Sequence, residues 1–208
     1  VISDGDRRGS GRGDDSGDDA ERSGEPAAEE PRQEDSVVIR GATGDDLQGV
    51  LSVGHRTWPA TYYSIAGEDY VQAGLAKWWS ADATIPAIRA GRVTVAELDG
   101  EIVGMASVGP GKHHLVLWKL YVLPEHQAKG VGSRLIEAVM AKAAEDHDEI
   151  QLSYIDGNTD AERFYRAKGF VEFTREAGGG GVPDDIWMRK VLRDASDDDD
   201  PGLEEARA

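Results

Sequence analysis

The sequence contains no cysteine. Disulfides, thiolate nucleophiles and cysteine-ligated zinc are therefore excluded. No run of eighteen apolar residues occurs, so no segment has the length and character of a membrane-spanning helix. The opening stretch VISDGDRRGS lacks the apolar centre of a secretory signal, and a cytoplasmic protein is expected by default. The chain opens on Val1 rather than Met, so the natural start need not coincide with it. Positive charge is scarce: 23 Lys and Arg stand against 40 Asp and Glu, a net charge of -17. Nucleic acid is a poor partner for such a chain, because phosphate binding needs clustered Lys and Arg. A cationic acceptor is compatible with this balance.

The acidity is unevenly placed. Residues 1–35 carry -7 and residues 194–208 carry -6, which leaves only -4 for residues 36–193. The two ends have almost no apolar side chains to bury, so ordering them has nothing to offset its entropic cost. Residues 1–35 and 194–208 are expected to be disordered acidic tails around one domain of 36–193. Arg12-Gly13-Asp14 spells an adhesion tripeptide, but a tract built of those residues yields it by composition alone.

Within the domain, chemistry concentrates in Leu115 to Ser133, LVLWKLYVLPEHQAKGVGS. Leu115–Leu123 is apolar apart from Lys119 and rich in strand formers. Pro124 stops the ladder because it has no N–H to donate. A helix then opens at Gln127-Ala-Lys-Gly130-Val-Gly132 and runs to about Glu145, with Leu135, Ile136, Val139, Met140 and Ala143 on one face. A strand followed by a glycine-rich helix start is a phosphate-binding device. The first helical N–H groups lack intrahelical partners, carry the positive end of the dipole, and can approach an anion closely. The spacing fits neither G-x-x-x-x-G-K-[ST] nor G-x-G-x-x-G.

It resembles the Q/R-x-x-G-x-G/A signature of the GCN5-related N-acetyltransferase (GNAT) superfamily, here within L-Y-V-x-P-x-x-Q-x-x-G-x-G. A second stretch carries the same resemblance: Asn158-Thr-Asp-Ala161-Glu-Arg-Phe164-Tyr165-Arg-Ala-Lys-Gly169-Phe170 matches the family's N-x-x-A-x-x-F-Y-x-x-x-G-F segment. The likeness is close over 115–173 and general over 36–193. It implies that acetyl-coenzyme A is the co-substrate. It further implies that the amides of Gln127, Ala128, Lys129, Gly130, Val131, Gly132 and Ser133 hold the pyrophosphate, that the edge of Leu120-Tyr121-Val122 pairs with the pantetheine arm, and that Asn158 contacts the cofactor. Tyr165 is implied as the acid that protonates the leaving thiolate.

The rest of the chain fills in around these motifs. Ser36–Arg40 reads as a strand, and Thr43-Gly-Asp-Asp46 as a helix cap leading to about Arg56. Trp58-Pro-Ala-Thr-Tyr-Tyr63 reads as a loop that breaks this helix, and Trp58, Tyr62 and Tyr63 are candidates for shaping an acceptor pocket. A second helix is expected over Gly67–Trp79. Strands over Arg92–Leu98 and Glu101–Val108 flank Asp99-Gly100, a tight hairpin signal. Glu149–Ile155 alternates as a strand and should lie parallel to the Leu115 strand by the right-handed crossover rule. Thr159-x-x-Glu162 reads as a capping box, and Gly169-Phe170 as a helix end. Val171–Arg175 and Ile186–Leu192 should close the sheet. The expected fold is α+β: one mixed sheet of six or seven strands flanked by about four helices.

No metal site is expected. Asp156-Gly-Asn158-Thr-Asp160 begins like a calcium loop but lacks its glycine and its final glutamate, and adjacent His113-His114 would point to opposite faces of a strand. The general base is the gap in the pattern. His113, His114, Glu97 or a water chain are the candidates. The expected activity is acetyl transfer to a primary amine of a small molecule or of a protein or peptide, by a monomer or homodimer. A non-catalytic acyl-CoA-binding module is the alternative.

Overall fold

A computed structural model describes residues 37–111 and 114–193. The two acidic tails and His113 lie outside the described residues. Seven strands form one mixed sheet: β1 (Val38–Gly41), β2 (Val93–Leu98), β3 (Glu101–Pro110), β4 (Leu115–Val122), β5 (Glu149–Ile155), β6 (Val171–Glu176) and β7 (Asp185–Val191). Their spatial order is β1-β2-β3-β4-β5-β7-β6. Every neighbouring pair is antiparallel except β4 and β5, which run parallel as the crossover rule requires. Four helices accompany the sheet: α1 (Leu47–Trp78), α2 (Ala81–Arg89), α3 (Val131–Asp146) and α4 (Thr159–Ala167). The α+β architecture expected from the sequence is the one observed.

The helices divide between the two faces of the sheet. Met105 and Gly104 are adjacent on β3 and therefore point to opposite faces. Met105 lies beside Trp58 and Tyr62 of α1 in one cavity lining, while Gly104 sits under Leu135 of α3. Lys168, just past α4, pairs with Glu137 of α3 at 2.8 Å and ties these two helices together.

Three local expectations are corrected. The segment Trp58–Tyr63 does not break the first helix; α1 continues through Pro59. Pro59 removes one intrahelical donor and costs about 3 kcal/mol. Trp58 and Tyr62 lie on the buried face of α1, 6% and 7% exposed, and each contributes about 1.5–3 kcal/mol by that burial. Packing therefore outweighs the proline. The break falls instead at Gly67, whose φ of 82° and ψ of 176° no other residue type adopts cheaply. Helix α2 is the second difference. Its start is capped by Ser80, whose hydroxyl accepts from the Ala83 N–H at 3.2 Å. Third, the residue that caps α4 is Asn158 rather than Thr159, and α3 begins at Val131 rather than Gln127.

Candidate active site

The parallel pairing of β4 with β5 is short. It spans Leu115 opposite Ile150 to Leu117 opposite Leu152 and then stops. The β3–β4 register slips at the same place: Ser107 faces Lys119, while Val108 faces Leu117. Trp118 is therefore the extra residue of a β-bulge, and a bulge bends the strand that carries it. Beyond it, β4 pairs with β3, β5 pairs with β7, and a crevice opens between them. Crevices at the carboxyl ends of parallel strands are where such sheets bind ligands.

One mouth of the crevice is built for an anion. After β4 the chain makes one 3-10 turn, Pro124–His126, and Gln127 Nε2 donates back to the Val122 carbonyl at 2.9 Å. Gly130 caps α3 with φ 79°, in the left-handed region. No side chain caps the first amides of α3, and no acidic side chain occupies its first turn. A hollow of about 210 Å³ lies there, lined by Val122, Gln127, Ala128, Gly130, Gly132, Ser133 and Phe164. Lys129 is exposed and Val131 is buried, and neither lines the hollow. Gln127 also borders a second hollow of about 380 Å³, shared with Thr61, Ser64 and Asn158. Asn158 is 5% exposed. Its Oδ1 accepts from the Ala161 N–H at 3.2 Å, but its Nδ2 is buried with no partner. A buried amide left without a partner is costly, and it is the form a ligand-binding group takes before its ligand arrives. The positive helix end and the unpaired amide together fit a long anionic cofactor such as coenzyme A.

The other side of the crevice is a cleft of about 510 Å³ under α1 and α2. Its walls are aromatic. The Trp58 ring lies tilted 4.3 Å from Tyr62 and stacks on Tyr70 at 5.7 Å, and the Tyr62 and Tyr121 hydroxyls share a hydrogen bond of 3.2 Å. Tyr165 of α4 is 6% exposed and packs its ring between Phe164 and Phe170. Its hydroxyl is near enough to Tyr62 and Tyr121 that ionisation of one opposes ionisation of the others. Burial pushes the Tyr165 phenol well above its ordinary pKa, with Tyr62 adding to the shift.

Two ionisable groups enter this cleft that the sequence motifs do not point to. Asp185, the first residue of β7, sits opposite Ile155 in the register and lines the cleft. Burial raises its pKa above the usual carboxylate value, and Glu176 and Asp184 raise it further. Its charge is felt by both Tyr62 and Tyr70. Lys119 on β4 also lines the cleft. Its Nζ donates to the Trp78 carbonyl at 2.5 Å and stands 4.2 Å over the Trp79 ring. The sequence clue to Lys119 was its isolation in an apolar strand, on the same face as Tyr121. For Asp185 there was none, since Asp184-Asp185 reads as loop.

The sequence candidates fall unevenly around this geometry. Trp58, Tyr62 and Tyr121 line the cleft, whereas Tyr63 is 60% exposed and does not. Glu97 is held by Arg40 Nε at 2.7 Å, away from the cleft. His114 does not line the cleft either; its ring lies against Gly111 in the turn before β4. Among the described residues no cluster of three or more His, Asp or Glu converges on a metal position, and no helix is long and apolar enough to cross a membrane.

Residues 89–172 match the acetyltransferase (GNAT) domain family. This segment contains the bulged strand, the anion-binding turn and the helix of Tyr165. Over this segment the chain carries the GNAT acetyltransferase domain. An uncharacterized N-acetyltransferase of Archaeoglobus fulgidus is 33% identical over 98 residues, 43% of this chain and 65% of that relative. The L-amino acid N-acyltransferase MnaT of Escherichia coli K12 is 31% identical over 85 residues, 38% of this chain and 49% of that protein. The chain thus spans less than two thirds of the length of these two relatives. The crystal structure of PaiA N-acetyltransferase from Thermoplasma acidophilum, in complex with coenzyme A, shares the fold. It has a TM-score of 0.66 at 24% identity and covers 75% of this chain and 99% of that one.

Proposed function

We propose that this protein is an acetyl-CoA-dependent N-acetyltransferase acting on a primary amine. The observation that carries the reading is a base candidate, Asp185, lining the cleft beside Tyr62, with the acid candidate Tyr165 buried next to Tyr62. Tyr165 and Asp185 come from different elements, and Tyr62 links them: it raises the Tyr165 pKa and its own is raised by Asp185. Coenzyme A bound to the PaiA N-acetyltransferase structure, which has the same fold, supports the choice of cofactor.

Acetyl-CoA, when bound, supplies an activated acetyl thioester. The amides from Gln127 to Ser133 hold its pyrophosphate, and Asn158 Nδ2 donates to its amide-bearing arm. The strand edge Leu120-Tyr121-Val122 aligns that arm by strand addition. A β4 N–H near Tyr121 or Val122 polarises the acetyl carbonyl. An alkylammonium acceptor has a pKa of about 10, so a proton must be removed before its nitrogen can attack. Asp185 takes that proton. Tyr165 returns one to the departing sulfur. Its raised pKa keeps the phenol protonated near neutral pH, the form an acid requires. Trp58 and Tyr62 shape the space for the acceptor.

The binding-module reading rests on the want of a base, and Asp185 in the cleft answers it. Tyr165→Phe keeps the ring and removes the hydroxyl. An acid acting on the leaving group stabilises the transition state more than the bound ground state. In an assay of CoA thiol release, kcat should fall by about 10²-fold or more, with acetyl-CoA affinity little changed. If no amine supports turnover by the parent protein while acetyl-CoA binds tightly, the protein is a binding module.

A further inference from the structure

The acceptor cleft holds a positive charge that no carboxylate neutralises among the described residues. Lys119 Nζ makes one hydrogen bond, to the Trp78 carbonyl, and one cation–π contact, over Trp79. Among the described residues no carboxylate pairs with it. Lys119 is half-buried, and a charge withdrawn from water is normally paired, because it forfeits hydration. Burial lowers the Lys119 pKa to about 8, so the ammonium is still the main form at neutral pH. This charge is kept in a domain whose own net charge is negative.

Other unmet donors share the cleft. The Thr84 hydroxyl and the Trp187 indole N–H are both buried without a partner, and both side chains line it. Arg92, at the same lining, adds a second cation. Against these donors the lining sets one carboxylate, Asp185. An excess of unpaired donors calls for a ligand rich in acceptor oxygens. The charges are also separated. Lys119 stands on β4 and Asp185 on β7, with β5 between them. Two paired-strand spacings are roughly 10 Å, and the splay of β4 from β5 beyond Leu117 widens this. After one hydrogen bond at each end, that leaves room for a group of a few ångströms bearing an ammonium and a carboxylate. Trp58, Tyr70 and Met105 offer an apolar wall beside it.

We infer that Lys119 anchors the carboxylate of the acceptor, so the amine taken by this cleft is a short amino carboxylate of α-amino-acid size with an apolar side chain. The inference rests on the acetyl-transfer reading above. In the reaction the acceptor nitrogen bonds to the acetyl carbon and the carbon–sulfur bond breaks. Two protons leave the nitrogen overall: one ends on the coenzyme A sulfur and one passes to water through Asp185. Lys119 transfers no proton and only positions the acceptor.

The test uses acceptors that differ only in the carboxylate. L-Phenylalanine is compared with 2-phenylethylamine, and L-leucine with 3-methylbutylamine, by CoA release and by mass of the acetylated product. A charge-assisted hydrogen bond should favour each amino acid in kcat/KM by about tenfold or more. Lys119→Met should lower kcat/KM for the amino acid far more than for the bare amine, so that the preference collapses. Lys119→Arg should keep part of it. A second readout is binding of N-acetyl-L-phenylalanine to the protein without coenzyme A, followed by calorimetry. It should weaken about tenfold or more in Lys119→Met and in Lys119→Gln, with melting temperatures confirming folded variants. If bare amines serve the parent protein as well as amino acids do, the carboxylate anchor is wrong and acetyl transfer stands. If neither kind is acetylated although acetyl-CoA binds, the acetyl-transfer reading fails. The product-binding comparison then decides Lys119 alone, and unchanged affinity in both variants overturns it.

Discussion

Asp185 and Tyr165 sit on different elements yet share one neighbour, Tyr62, which itself shares a hydrogen bond with Tyr121. The same burial acts on both groups in the same direction and with different chemical results. It keeps the phenol protonated, which suits an acid. It makes the carboxylate a stronger base than an exposed aspartate, which suits proton removal. The sign of the pH dependence follows. Asp185 works in its ionised form, so kcat/KM should fall as pH drops through its raised pKa, above the ordinary aspartate value of about 3.9. Asp185→Asn should lower kcat/KM by about 10²-fold or more. It should also remove that acid limb from the pH–rate profile. A variant that retains the limb would assign the proton transfer to another group.

At the scale of elements, strand, turn and helix are each written locally in Leu115–Asp146, and this stretch was legible in the sequence. Apolar strand formers, a proline stop and a left-handed glycine need only their neighbours to act. Gly130 tests how much that turn matters. Alanine there meets no atom within 4 Å, so it brings no clash. It must still adopt φ 79°, at about 1–2 kcal/mol. The melting temperature of Gly130→Ala should fall by roughly 2–8 °C for a domain of this size. The acetyl-CoA dissociation constant, by calorimetry, should rise as the α3 amides turn away. Unchanged affinity with a lowered melting temperature would move the pyrophosphate elsewhere. What was not legible depends on tertiary partners. The helix runs through Pro59 because Trp58 and Tyr62 find Tyr121 and Trp79 across the core, and local propensity carries no trace of those contacts. Lys119 and Asp185 meet the same cleft only because β5 separates their strands. A topology has to exist before that pairing can be seen.

Over the whole molecule, the acceptor cleft depends on how α1 and α2 are hung from the first half of the sheet, and one ion-pair cluster fixes that attachment. Arg40 on β1 reaches Asp46, at the entry to α1, through two hydrogen bonds of 2.7 and 2.8 Å, and Glu97 on β2 through a third of 2.7 Å. Asp46 also accepts from the Thr43 backbone N–H at 2.7 Å. The Arg40 guanidinium holds the Asp46 carboxyl well below the usual carboxylate range, with the Thr43 bonds adding to it and burial opposing it. A carboxyl whose pKa is depressed by folding adds stability that is fully present above its unfolded value of about 3.9. That stability is lost as pH falls through the folded value. Asp46 is 9% exposed and Arg40 34%, so the cluster lies between a surface pair and a buried one. Loss of the Asp46 charge should therefore cost about 2 kcal/mol at neutral pH, between the surface and buried limits. In melting temperature that is roughly 4–8 °C. Asp46→Asn and the parent protein are compared by thermal unfolding from pH 7 downward. The gap should be widest at pH 7 and narrow steadily below about pH 4. A gap that stays constant into acid would mean that the shape of the Asp46 cap, and not its charge, holds α1 against the sheet.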